Sequence, residues 1–250
     1  LLKARKAMAA MTAIEAKERL SELDETIAEA AALYFEAATA KGETVPGGEV
    51  EVQFTAVARG SVKVDLAGIT VGGVEVAGSP LGANEVWTKR QKVVAPSTTT
   101  QPYWLRETHS LGLFKVADRT LLGEPANPPA IEARGRFVIG GVEIELARPV
   151  EHVWVDRSRG EERDPLEVLP VVALELNGGA LVFTDSRPEE ISLDLTASSG
   201  NPSGTVRLEL PSGWTSNPAS ADFKIPDMGR TTAKFQVTPP KGDSAGVMRA

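Results

Sequence analysis

Phe137-Val138-Ile139-Gly140-Gly141-Val142-Glu143-Ile144 is a pair of short alternating runs joined by two glycines, and the pattern recurs. Ile69-Thr70-Val71-Gly72-Gly73-Val74-Glu75-Val76 repeats it almost residue for residue, and Leu174 to Phe183 offers a third version around Asn177-Gly178-Gly179. Alternation of apolar and polar side chains fits a strand with one buried face. A glycine doublet between two such runs fits a tight hairpin, because two-residue primed turns need positive φ, which Gly or Asn supplies cheaply. None of the doublets opens a helix or precedes Lys-Ser/Thr, so a phosphate-binding loop is set aside.

Working outward, Val50, Val52, Phe54 and Ala56 alternate with Glu51, Gln53 and Thr55, and Val62, Val64 and Leu66 continue the pattern. Val45-Pro46-Gly47-Gly48 supplies a turn before them. Ile131 to Val155 returns to strands. Asp156 to Pro165 carries seven charged residues in ten and no apolar side chain, the best candidate for a domain boundary. Beyond it, short runs at 168–176, 180–183, 191–196, 206–210, 223–225 and 234–238 suggest a sandwich of immunoglobulin type, and the last ten residues look frayed. Upstream, Leu2 to about Ala32 holds good helix formers without Gly or Pro, and Met8, Met11, Ile14, Leu20, Leu23, Ile27 and Ala31 form one apolar stripe. One continuous rod and a break near residue 20, capped by Ser21 and Asp24, are both open. The fold expected is mainly β: a helical connector over 1–32, a first β-sandwich domain over 33–160 and a second immunoglobulin-like β-sandwich over 166–250.

Composition narrows the function classes. The 250 residues include no cysteine, which excludes disulfides and thiolate metal sites. A net charge of -7 without a basic cluster argues against nucleic acid. No apolar run approaches the roughly 18 residues that span a bilayer, so a soluble chain is expected. The two histidines, His109 and His152, stand 43 residues apart and match no zinc-ligand spacing; a site assembled in space from them with Glu107 or Glu151 is the minor reading. The carboxylate pairs Glu161-Glu162 and Glu189-Glu190 read as solvated surface, with Arg157, Arg159 and Arg163 as ion-pair partners. No catalytic, cofactor-binding or metal-ligating residue is assigned.

Gln101-Pro102-Tyr103-Trp104-Leu105-Arg106-Glu107 concentrates aromatic and charged side chains in a chain with few aromatics, and Pro102 followed by Tyr-Trp-Leu reads as an extended strand. Tyr103, Trp104, Arg106 and Glu107 are candidates first for interdomain packing and second for ligand contact. Trp214, in Pro211-Ser212-Gly213-Trp214, either closes the end of the second sandwich or offers its ring to a sugar. Trp154 and Trp87 are read as sheet residues.

A family resemblance rests on ordered motifs. Gln101 to Glu107, Leu111-Gly112-Leu113-Phe114-Lys115-Val116 and Leu121 to Ala130 resemble the region downstream of the catalytic domain in large bacterial PIG-L (LmbE-like) deacetylases. So do Ala147-Arg148-Pro149-Val150 with His152-Val153-Trp154, Arg159-Gly160-Glu161, and Leu208 to Trp214. The resemblance implies the C-terminal, non-catalytic part of a zinc-dependent de-N-acetylase acting on N-acetylglucosamine-like sugars, ending in an alpha-galactosidase-associated immunoglobulin-like domain. Its Ala-His-Pro-Asp-Asp signature is absent here, so zinc is expected in the upstream catalytic domain and not in this chain. The implied partners are that catalytic domain and carbohydrate, and the implied location is periplasmic or extracellular. A purely structural spacer or oligomerisation module is the alternative. The first residue is Leu, and the opening Leu1 to Lys6 lacks the order of a secretory signal, so an internal fragment is expected.

Overall fold

The computed structural model describes residues 1–11 and 14–250; the part of the expected helix at Thr12 and Ala13 lies outside the described residues. The chain is mainly β with two short N-terminal helices. It divides into two compact units, residues 1–168 and 169–250.

The first unit contains α1 (Leu2–Ala9), α2 (Ile14–Ala30), β1 (Leu33–Thr39), β2 (Glu43–Thr44), β3 (Glu49–Ala58), β4 (Val64–Val71), β5 (Val74–Ala77), β6 (Trp87–Val94), β7 (Glu132–Ile139), β8 (Val142–Asp156), β9 (Gly160–Pro165) and β10 (Glu167–Val168). Eight of the strands form one sheet in the order β5-β4-β7-β8-β1-β3-β6, with β9 added to β8. The two glycine-pair hairpins form as expected: Gly72 and Gly73 join β4 to β5, Gly140 and Gly141 join β7 to β8, and all four have positive φ.

β8 gives this sheet its folded-over form. It pairs antiparallel with β7 over Val142–Pro149, then lies parallel to β1 at Val150–His152 and antiparallel to β9 over Glu151–Asp156. A strand that changes partners in this way carries the sheet around a corner, so both arms share one core containing Val52, Phe54, Ile69, Val71, Phe137 and Ile144. Phe35 of β1 meets Phe137 of β7 edge to face at 5.2 Å. Their ring edges occupy the place of a side chain at Gly135, where a Cβ would lie 2.7–2.8 Å from both rings.

The helical region breaks at Ala10 and Met11, just after α1, and not near residue 20. Ser21 and Asp24 lie inside α2, and the Asp24 carboxylate serves tertiary contacts in place of a cap. Only 3% exposed, it accepts from Arg5 Nε and Nη2 at 2.9 and 3.1 Å and from the Glu145 amide at 3.1 Å. Next to it in sequence, Glu25 takes a two-pronged pair from Arg148 at 2.6 and 2.8 Å, and Arg148 also donates to the Phe35 carbonyl. Ile27, Ala28 and Ala31 then enter the core beneath. Leu23, Ile27 and Ala31 of the expected stripe therefore find their surface on the first unit's own sheet, whereas Met11 is exposed and the Ile14 side chain lies outside the described residues.

Two further expectations are corrected here. The Asp156 to Pro165 stretch is no linker: Asp156 Oδ1 accepts from the Ser158 and Arg159 amides to make a turn, and β9 pairs back along β8. Strand pairing uses backbone groups, so an edge strand needs no apolar side chains. Accordingly Glu161 and Glu162 sit in β9, not in a loop; Glu161 pairs with Arg163 at 2.6 Å, and Glu162 with Arg159 at 3.7 Å. Glu189 and Glu190 likewise lie in a strand, with Glu190 held by Lys234 at 2.8 Å.

The second unit contains β11 (Val172–Leu176), β12 (Glu189–Ala197), β13 (Ser203–Val206), β14 (Thr215–Asn217), β15 (Ala221–Lys224) and β16 (Arg230–Thr238). The order β11-β12-β16-β14 makes one sheet, and β13 with β15 makes a second. Between them lie Leu193, Leu195, Val206, Ile225, Phe235 and Val237. The third glycine pair makes no hairpin, because Asn177 to Phe183 forms no strand after β11. The last ten residues are not frayed: Arg249 exchanges both backbone hydrogen bonds with Glu209, and Met248 packs against the core. On the outer face, Asp194 accepts from Thr232 and Arg230 at 2.6 Å.

Two outcomes follow from these contacts. Replacing Arg5 by Ala leaves a buried carboxylate with one amide partner and is expected to destabilise the first unit by about 3 kcal/mol in equilibrium denaturation; a change below about 1 kcal/mol is incompatible with the docked helices. The Thr232 hydroxyl, with Asn177 and Arg230, holds the Asp194 carboxyl below its ordinary 3.8. Its contribution is complete above that value and is lost as pH falls through the lowered one, so Asp194→Asn is expected to flatten the acid limb of the second unit's stability profile, read by near-ultraviolet circular dichroism.

Candidate functional site

The Gln101 to Glu107 segment is not a strand. Tyr103–Leu105 is a single turn of 3-10 helix following extended Pro102. Tyr103 turns inward, where its hydroxyl donates to the Glu124 carbonyl at 3.0 Å and its amide donates to Asn127 Oδ1 at 2.8 Å. Asn127 in turn donates to the Gln101 carbonyl at 2.8 Å. These bonds close the neck of a loop, so the backbone groups that a strand would have satisfied find side-chain partners. Trp104 is half-buried with its ring edge-on to Tyr103 at 4.9 Å; Arg106 and Glu107 are exposed. The loop beyond them holds Leu105, Leu111, Leu113, Phe114 and Leu122 in solvent, with Leu111 fully exposed.

The histidines are far from forming a shared site. His109 lies in the exposed loop against Phe114, while His152 is half-buried on β8, stacked on Trp154 at 4.9 Å with Nδ1 3.2 Å from the Thr39 carbonyl oxygen. Among the described residues, no cluster of three His, Asp or Glu is placed to hold a metal ion. Nearby on the outer face, Arg163 faces Glu36, Glu151 and Glu161, and Tyr34 donates to Glu36. Burial and the Glu36 carboxylate push the Tyr34 hydroxyl above its ordinary pKa. The cluster is satisfied within itself.

Trp214 belongs to the second unit and to a different environment from Tyr103. Gly213 has φ +83° at the third position of the turn Pro211 to Trp214, and the Trp214 amide donates to the Pro211 carbonyl at 3.1 Å. This turn delivers the indole, half-buried, into a groove of about 240 Å3. Phe183 meets it edge to face at 4.9 Å, and its Nε1 donates to Ser244 Oγ at 2.9 Å. Leu176, Leu181, Val247 and Met248 line the remainder with Pro211, Gly178, Gly179, Ala180 and Gly246. The turn was legible as Pro-Ser-Gly-Trp. Phe183, Ser244 and Met248 were not, since they come from a segment read as a strand and from a tail read as frayed. A short tail rich in small residues gives no periodic signal to mark its return to the core.

All four tryptophans are half-buried, so none is a simple exposed platform. Trp87 packs against the first core, whereas Trp214 lines a groove. No helix among the described residues is long and apolar enough to cross a membrane.

Comparison with known proteins bears on the second unit. Residues 186–249, about a quarter of the chain, match the family model of the NPCBM-associated, NEW3 domain of alpha-galactosidase. The match covers Trp214, Ser244 and Met248, and it marks this part of the chain as an accessory, carbohydrate-related domain. No curated protein matches the chain significantly.

Tyr103→Phe tests the loop neck. Losing the hydroxyl removes a hydrogen bond worth about 1 kcal/mol, and amide exchange across residues 105–122 is expected to quicken while that of β7 and β8 stays unchanged. Unaltered exchange in the loop contradicts the pinning role.

Proposed function

We propose that this chain is a non-catalytic accessory region of a sugar-directed hydrolase, whose second unit is an immunoglobulin-like sandwich that engages carbohydrate. The observation that carries the reading is the match of residues 186–249 to a domain associated with alpha-galactosidase. The groove at Trp214 supports it, since the Trp214 and Phe183 rings line it and aromatic walls are common in small-ligand sites. Two facing sheets, one of four strands and one of two, support the immunoglobulin-like assignment.

The motifs from Gln101 to Trp154 support a more specific parent, a zinc-dependent de-N-acetylase of PIG-L type acting on N-acetylglucosamine-like sugars. In that reading zinc resides in the upstream catalytic domain, where it would activate water and polarise the acetamide carbonyl. The exposed apolar tip of the Leu105 to Leu122 loop is the surface assigned to that domain, with Tyr103 and Trp104 fixing its neck and Arg106 and Glu107 at its entrance. Export to the periplasm or beyond follows from the same reading. The rival is a structural spacer or oligomerisation module, favoured by the partial burial of every tryptophan.

The decisive comparison sets the chain beside its full-length parent. The parent is expected to bind zinc stoichiometrically and to release acetate from chitooligosaccharides, and this chain alone to do neither. Acetate release by the chain alone would falsify the non-catalytic reading.

A further inference from the structure

We infer that the Trp214 groove holds one neutral pyranose residue, seated with its C–H face against the aromatic pair, and that it rejects charged sugars. The inference rests on the carbohydrate reading above and deepens it. None of the groove-lining side chains is ionisable. An ammonium or carboxylate brought into such a wall loses water and gains no counter-charge, so the ligand must be uncharged. The indole N–H is already committed to Ser244 Oγ. Trp214 therefore offers a hydrocarbon surface with no free donor, and Phe183 fixes its tilt from the side at 82°.

A simple hydrocarbon ligand fits less well. Three of the lining positions are Gly178, Gly179 and Gly246, so peptide groups in place of side chains form that part of the wall. Gly246 is also required by packing, because a Cβ there would lie 2.5 Å from Pro211. Peptide groups along the wall suit a ligand with hydroxyls around its rim and carbon on one face, which describes a pyranose. The volume of about 240 Å3 suits a single ring and not a chain of several.

Gly179 provides a clean handle, since a Cβ there meets nothing within 4 Å and its φ is not in the left-handed region. Gly179→Trp fills the opening without disturbing the core, whereas Trp214→Ala removes a ring that the core also uses. The experiment titrates the full chain with methyl glycosides of glucose, galactose and N-acetylglucosamine, with glucosamine and glucuronate as charged probes and hexanol as the apolar one. The readouts are tryptophan fluorescence and ligand-observed NMR. At least one neutral glycoside is expected to bind, with affinity falling about ten-fold or more in Gly179→Trp and Trp214→Ala, and about ten-fold weaker binding of the charged probes. Equal or tighter binding of a charged sugar overturns this inference while leaving the carbohydrate reading standing. Neutral binding unaffected by Gly179→Trp moves the site elsewhere and also overturns it, as does hexanol binding without sugar binding. If no glycan binds at all, the inference and carbohydrate recognition by this unit fall together, while the accessory role stays with the comparison of chain and parent.

Discussion

Strand β8 changes partners near Pro149, and the architecture of the first unit depends on that change. Before it the strand belongs with β7; after it, with β1 and β9. Arg148 stands at the corner with its guanidinium tied to Glu25 and to the Phe35 carbonyl, so α2, β1 and β8 meet at one side chain. Asp24, the residue before Glu25, does the same by joining Arg5 to the Glu145 amide. Helices with a polar outer side are thereby fixed to the sheet by charge as well as by the apolar contacts of Ile27, Ala28 and Ala31. Removing either acid leaves a half-buried cation without its partner, which is why such contacts specify where a helix lies even when they add little net stability.

What was readable in advance had a local cause. Alternation in β3 and β4 follows from a two-residue period against one buried face, and the Gly72-Gly73 and Gly140-Gly141 turns follow from positive φ. Non-local causes hid the rest. The 3-10 turn at Tyr103 depends on Asn127 and Glu124, more than twenty residues downstream. β9 exists because β8 offers it an edge, a fact that its own charged residues do not announce. The groove around Trp214 draws on β11, the 177–183 segment and the C-terminal tail, and only the tryptophan and its turn stood out from their neighbours.

The two units divide the chemistry between them. The first devotes its polar side chains to ion pairs within and across strands, such as Arg163 with its three carboxylates, and presents an apolar loop pinned by Tyr103. The second contains the stretch matched to the NEW3 domain model, together with a groove whose wall is uncharged.

The parallel pairing of Ala37 with Val150 sets the order of events during synthesis. β1 is made early, yet one of its two neighbours emerges from the ribosome more than a hundred residues later. Until then β3 covers one edge of β1 and the other edge, at Ala37–Thr39, stays open. Closing so long a span is slow, so the nascent first unit waits half-assembled, and the stage at which it is most exposed to wrong partners ends only when β8 and β9 have left the tunnel.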